Sequence, residues 1–124
     1  MDTNVGIDFL GGLLPQKTVV WLDAQILTDN ICISVINEIE LLGFNASPTE
    51  EKDIQDLINN VINLGLSRDI IKQTIAIKKF KKIKLPDAII AATAIVHNLT
   101  VISRNTVDFK NIAGLTCLDP YSDI

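Results

Sequence analysis

The groups in this sequence best suited to chemistry are oxygens. Asp2, Glu38 or Glu40, Asp87, Asn105 and Asp108 stand at or near the ends of expected elements, and they could converge into one oxygen-rich pocket. Carboxylates facing one another cannot all stay ionised unless a cation holds them together. Hard oxygen ligands suit Mg²⁺ or Mn²⁺, which keep several waters and take one or two carboxylates each. A divalent ion in such a pocket can polarise a phosphate, help deprotonate water and stabilise a leaving oxygen. That is phosphodiester hydrolysis without a histidine or serine nucleophile. Taken singly, each acid also has a plain structural role. Asp87 can serve as a helix-start acid, which the macrodipole favours by roughly 0.3–1 kcal/mol. Asp108 can begin a turn, Asp2 can be a free terminus, and Glu38 and Glu40 can flank a solvated helix edge.

The stretch that would hold Asp87 still is KLPDAIIAATAIVHN, Lys84 to Asn98. Pro86 suits the first turn of a helix, where its missing N–H removes no bond. The residues after Asp87 are apolar on nearly every side, the pattern of a buried helix. The run is too short to cross a bilayer, which needs about 20 residues.

The other elements follow from periodicity and punctuation. Val5 to Leu10 reads as a short helical turn stopped by Gly11 and Gly12, and Gln16 to Leu27 as a helix with one buried face. Asn30 to Ile33 reads as a short buried strand. Ser34 then caps a helix closed by Gly43, with Val35, Ile39 and Leu42 as its expected buried stripe. That wheel puts Glu40 on one margin and Glu38 on the other, and does not choose between them. Phe44 to Pro48 is a loop, and a helix from about Thr49 to Asn59 turns Ile54, Leu57 and Ile58 inward. Val61 to Leu64 is a second strand. Ser67 caps a helix from Arg68 to Lys79 with a stripe of Ile70, Ile71, Thr74, Ile75 and Ile77. Leu99 to Ser103 and Thr116 to Leu118 complete the strands. Short apolar strands alternating with helices predict a parallel sheet covered on both faces, with working residues at the carboxyl ends of the strands.

A chain of 124 residues with 48% hydrophobic composition is one domain, 1–124, able to bury a core. Its net charge of −4 gives no global attraction to nucleic acid. Basic residues concentrate in KKFKKIK before the Asp87 helix, either a solvated helix end or a phosphate track with Phe80 available for stacking. Cys32 and Cys117 lack zinc spacing and read as reduced core residues of a cytoplasmic protein. No signal-peptide pattern opens the chain. His97 stands alone at a helix end and reads as structural.

The motifs DTNVGIDFL, SVINEIELLGF, LPDAIIAATA and SRNTVDFKNIAGL, in this order, resemble the PIN-domain family and, more narrowly, VapC-type toxins of bacterial toxin–antitoxin pairs. The resemblance spans essentially the whole chain. It implies an α/β three-layer α/β/α sandwich with a short parallel sheet, and a Mg²⁺-dependent ribonuclease silenced by a cognate antitoxin and usually homodimeric. By motif, the family's acids fall on Asp2, on Glu40 before Leu-Leu-Gly, and on Asp87. The fourth position falls on Asn105, with Asp108 able to replace it or to bind the metal through water. Asn4 and Ser103 are the expected orienting residues, and Lys79, Lys82, Lys84 and Arg104 the expected RNA contacts.

One departure concerns the start. Family members carry several apolar residues before DTN, forming the central strand, whereas here only Met1 precedes Asp2. The first strand is therefore expected to be largely missing, with the Met1 ammonium beside Asp2 repelling a cation. Two functions follow. One is a toxin that cleaves RNA by metal-activated water. The alternative is a weakened or inactive PIN-like module that binds an antitoxin or RNA without cutting. A receiver-like signalling domain fits poorly, since it needs paired acids after the first strand and a lysine after a late one.

Overall fold

The computed structural model describes all residues, 1–124. In chain order the elements are α1 (Thr3–Leu10), α2 (Gln16–Leu27), β1 (Cys32–Ser34), α3 (Val35–Leu42), α4 (Pro48–Asn59), β2 (Ile62–Leu64), α5 (Arg68–Phe80), α6 (Leu85–Val96), β3 (Thr100–Ile102), α7 (Thr106–Phe109) and β4 (Thr116–Leu118). No helix is long and apolar enough to cross a membrane.

The strands form two parallel ladders rather than one sheet. Cys32 registers with Ile62 in one ladder, and Thr100 with Thr116 in the other. Between β1 and β3 runs a lane that only the chain start enters. The Met1 amine donates to the Cys32 carbonyl at 2.9 Å, and the Asp2 N–H donates to the Ile102 carbonyl at 2.8 Å. Asp2 has extended backbone, and α1 begins at the next residue. Met1 and Asp2 thus bridge the two ladders without forming a regular strand.

Helices cover both faces. One core gathers Val5, Leu22, Ile33, Leu41, Leu57 and Ile102 under α1 to α4. The other gathers Ile70, Ile77, Ala88, Ala91, Val101 and Phe109 under α5 to α7. Val101 and Ile102, adjacent in β3, serve opposite cores because successive strand residues face opposite sides. This is the α/β/α sandwich. The small residues Ala88, Ala91 and Ala92 on α6 are wholly buried, and α5 packs alongside that helix.

The structure corrects several local expectations. Pro48 starts α4 rather than ending a loop, because Ser47 caps it and Glu50 closes the capping box. Ser103 to Asp108 holds a short helix, α7, where a turn was expected, because Asn105 caps it. In α3 the buried positions are Asn37 and Leu41, while Ile39 and Leu42 are 62% and 50% exposed. The phase is set by polar anchoring of Asn37, which binds Ser34 at the helix start, rather than by apolar content. In α2, Leu22 is buried but Val20 and Leu27 face solvent, and in α5 Ile75 does. The cysteines are partly buried and unpaired.

Ile70 is wholly buried between α5 and α6. Ile70→Ala should lower unfolding free energy by about 2–5 kcal/mol, measured by urea denaturation. A loss below about 1 kcal/mol would mean that the two helices collapse onto the gap.

Candidate active site

Each acid is delivered by an element end or by the helix that follows a strand. Asp2 caps α1, and its carboxylate is held at both oxygens. The Thr3 N–H donates to Oδ1 at 2.8 Å and the Ser103 hydroxyl donates to Oδ2 at 2.8 Å. Ser103 is wholly buried, and its hydroxyl also accepts from the Asn105 N–H at 2.9 Å. Asn105 then turns its amide onto Asp108, with Nδ2 donating to Oδ2 at 2.7 Å. Asp2 and Asp108 are therefore linked through one continuous polar chain. Within it Asn105 orients an acid and caps α7, so the charged member of that pair is Asp108.

Glu40 is held from the other side. The Thr3 hydroxyl donates to Glu40 Oε1 at 2.8 Å, and Asn37 Nδ2 donates to that hydroxyl at 3.1 Å. The Asn37 carbonyl oxygen accepts from both the N–H and the hydroxyl of Ser34. Nothing comparable engages Glu38, so between the two candidates the geometry favours Glu40. Asn37 is 1% exposed, and no buried side-chain polar atom lacks a partner. A fully satisfied buried network of this kind fixes geometry.

Asp87 occupies the first turn of α6 behind Pro86 and accepts no hydrogen bond. Burial raises its pKa first, and then the charges of Asp2, Asp108 and Glu40 raise it further, while Lys84 acts the other way. Asp87 thus lies within the field of the other three acids. They are not clenched: no three acidic, histidine or cysteine side chains stand close enough to form a ready ligand set. A hollow of about 430 Å³ opens beside Asp2, lined also by Asn4, Val5, Asp8, Ser103, Arg104 and Asn105.

The remaining candidates divide. Asn4 is exposed and makes no side-chain hydrogen bond to an acid; the orienting role expected of it falls to Thr3. Lys79, Lys82 and Lys84 are exposed, and Phe80 is 96% exposed beside them. Arg104 lies over the Tyr121 ring at 4.0 Å. Lys81, from the same basic run, is taken up by the carbonyls of Val107, Asp108 and Lys110, so it ties down the Asp108 segment. Burial pushes the Met1 amine down to about 6, with Asp2 and Cys32 opposing.

Reading the sequence alone missed Thr3, Asn37 and the Asp8–Tyr121 pair, whose hydroxyl donates to Asp8 at 2.7 Å. For Asn37 a signal existed: an amide three residues after the capping Ser34 completes a capping box. Thr3 and Tyr121 gave none, because their partners lie 37 and 113 residues away in sequence.

The sequence profile of the PIN domain matches residues 1–115. Among solved structures, the chain is 32% identical to one in a toxin–antitoxin complex from Klebsiella pneumoniae, covering 97% of this chain and 95% of that one, with a TM-score of 0.75. FitAcB from Neisseria gonorrhoeae is 26% identical over 98% and 96%, with a TM-score of 0.77. VapBC2 from Rickettsia felis, solved bound to a promoter DNA fragment, has a TM-score of 0.76 at 20% identity over 94% of each chain, a likeness of fold. No curated protein matches the sequence.

The field at Asp87 has a thermodynamic signature. The folded chain holds this proton more tightly than the unfolded one. Its stabilising contribution is therefore present at low pH and lost as pH rises through the raised folded value. Asp87→Asn, neutral throughout, should melt above the parent protein in EDTA at pH 7. The difference should close as pH falls to about 4, the ordinary carboxylate range. Equal melting at pH 7 would mean that neither burial nor the neighbouring acids disfavour the charged carboxylate there.

Proposed function

The chain belongs to the PIN-domain family, and on that premise we propose that it is a Mg²⁺-dependent endoribonuclease, the toxin of a toxin–antitoxin pair. The observation that carries this reading is the electrostatic coupling of Asp87 to Asp2, Glu40 and Asp108, brought from three other parts of the chain. Mutual repulsion of that kind is what a divalent cation relieves, and every donor is a hard oxygen. Asp2, Glu40, Asp87 and Asp108 would hold Mg²⁺ or Mn²⁺, with Asn105 completing the catalytic set. The loose spacing of the acids suits an ion that retains its own waters. Such an ion, when bound, supplies a Lewis acid for the phosphate and lowers the pKa of water.

The chain's own residues supply positioning. Ser103 keeps Asp2 aimed, Thr3 and Asn37 keep Glu40 aimed, and Asn105 keeps Asp108 aimed. Asp87 needs no such partner, since its helix is packed on nearly every side. Lys79, Lys82 and Lys84 would meet RNA phosphates and offset the net charge of −4 locally. Arg104 would add a further phosphate contact from the edge of the hollow. The antitoxin partner is supported by the Klebsiella relative, and exposed apolar residues such as Val20 and Leu27 on α2 offer it, or a second copy, a surface.

A second reading, a module that binds antitoxin or RNA without cutting, rests on the spacing of the acids, no three of which stand close enough to form a ready ligand set. One experiment separates the readings. RNA cleavage should require Mg²⁺ or Mn²⁺, stop in EDTA and vanish in Asp87→Asn, while Thr3→Val should retain about 1–10% of activity. Millimolar Mg²⁺ should also raise the melting temperature of the parent protein but not of Asp87→Asn. Cleavage that persists in EDTA, or is equal in Asp87→Asn, would sink the nuclease mechanism. No cleavage together with no thermal shift would favour the binding module.

A further inference from the structure

Arg104, at the edge of the hollow beside Asp2, is held by the face of an aromatic ring. It stands between Ser103 and Asn105, the residues that hold Asp2 and Asp108. Its backbone is fixed on both sides: the Ser103 N–H donates to the Leu118 carbonyl at 3.0 Å, and the Thr106 N–H donates to the Arg104 carbonyl at 2.9 Å. Its guanidinium lies over the Tyr121 ring, 4.0 Å from the centroid, and the residue is exposed. A guanidinium is planar, so stacking on one face leaves the other face for a ligand.

The ring beneath it is tied at both ends. The Tyr121 hydroxyl donates to Asp8 Oδ2 at 2.7 Å, and the Tyr121 N–H donates to Asp119 Oδ1 at 2.9 Å. The preceding Pro120 is buried, and its carbonyl accepts from the Thr18 hydroxyl at 2.6 Å. Asp8 lines the same hollow as Arg104, yet its hydrogen bond goes to the tyrosine. The bonds that aim Asp2, Glu40 and Asp108 involve neither Tyr121 nor the Arg104 side chain. The stack is therefore additional to the machinery that orients the acids.

The lining of the hollow decides which part of a nucleotide suits it. Asp2 and Asp8 put two carboxylates on its wall, with the amides of Asn4 and Asn105 beside them. A phosphate inside would face both carboxylates and be repelled. A nucleobase is neutral, offers N–H donors to carboxylate and amide oxygens, and stacks on guanidinium planes.

Resting on the reading that the chain acts on RNA, we propose that the open face of Arg104 is a stacking platform for one unpaired RNA base, which occupies the hollow beside Asp2. Tyr121 and Asp8 are positioning residues that hold the platform in place. The stack uses the face of the guanidinium and leaves its N–H edge for a phosphate. A base seated there brings its own backbone to the acid edge, because Asp2 lines the same hollow.

The probe is an oligoribonucleotide with 2-aminopurine at its centre and three uridines on each side. Binding is read with Mg²⁺ in the Asp87→Asn background, so it does not depend on cleavage. The 2-aminopurine fluorescence should be quenched saturably. Arg104→Lys keeps the charge but not the plane, and should weaken binding at least about 5-fold and abolish the quench. Tyr121→Leu should also abolish the quench. With an abasic residue in place of the 2-aminopurine, Arg104 and Arg104→Lys proteins should bind alike, within about 2-fold. An equal loss on the abasic strand would make Arg104 a phosphate contact alone and overturn the proposal. Absence of binding would overturn it as well, as would binding without a quench. Cleavage by the parent chain, with the quench unchanged in Arg104→Lys, would remove the platform and leave the nuclease reading standing. A quench that needs Arg104, in a chain that never cuts RNA, would keep the platform and remove the nuclease reading.

Discussion

Two hydrogen bonds from the first two residues join the halves of this sheet: Met1 to Cys32 and Asp2 to Ile102. A backbone hydrogen bond contributes only about 0.5–1.5 kcal/mol net, so neither is strong by itself. Their importance is positional. They place Asp2 at the carboxyl ends of β1 and β3. There Thr3 and Ser103 hold both of its carboxylate oxygens. Asp2 is thereby fixed at three points, its own N–H on Ile102 and its side chain on Thr3 and Ser103.

The same exchange explains how Glu40 can be both exposed and oriented. Its carboxylate reaches the edge of the site, while the groups that aim it, Thr3 and Asn37, are buried. Buried polar groups are tolerated when every donor and acceptor is met, and here they are. Asn37 therefore serves helix capping and acid positioning with one side chain. That dual duty displaces the apolar stripe of α3, leaving Ile39 and Leu42 facing solvent.

Much of this was legible in the sequence, and the divide is physical. The buried α6 was readable because a helix apolar on every side leaves few alternatives. β4 was readable because the apolar residues Ile112, Leu115 and Leu118 of the tail leave room for one more short strand around Thr116 to Leu118. The α/β/α layering followed from alternation. The phase of α3 was not readable, because apolar content pointed one way and a single Asn37 anchored the other. Nor were Thr3 and Tyr121, whose partners are remote in sequence. Candidate acids were nameable in advance because they sit at element ends; periodicity left Glu38 and Glu40 open, the motif before Leu-Leu-Gly pointed to Glu40, and the Thr3 hydroxyl is what holds that side chain in space.

Gathering four carboxylates at one edge of a net-acidic chain is costly, and the folding pattern shows how the cost is limited. Asp2 caps α1, Asp87 stands in the first turn of α6, and Asp108 stands in the first turn of α7. A helix start carries partial positive charge and unpaired N–H groups, which favour an anion by about 0.3–1 kcal/mol each. The Lys84 charge next to Asp87 adds to this. These contributions still leave Asp87, the one acid of the four that accepts no hydrogen bond, with its pKa raised by burial and then by the charges of Asp2, Asp108 and Glu40. Helix starts therefore assemble the acids without neutralising them. What remains uncompensated at Asp87 is a deficit of positive charge, held in place by a helix that packing allows little freedom to move.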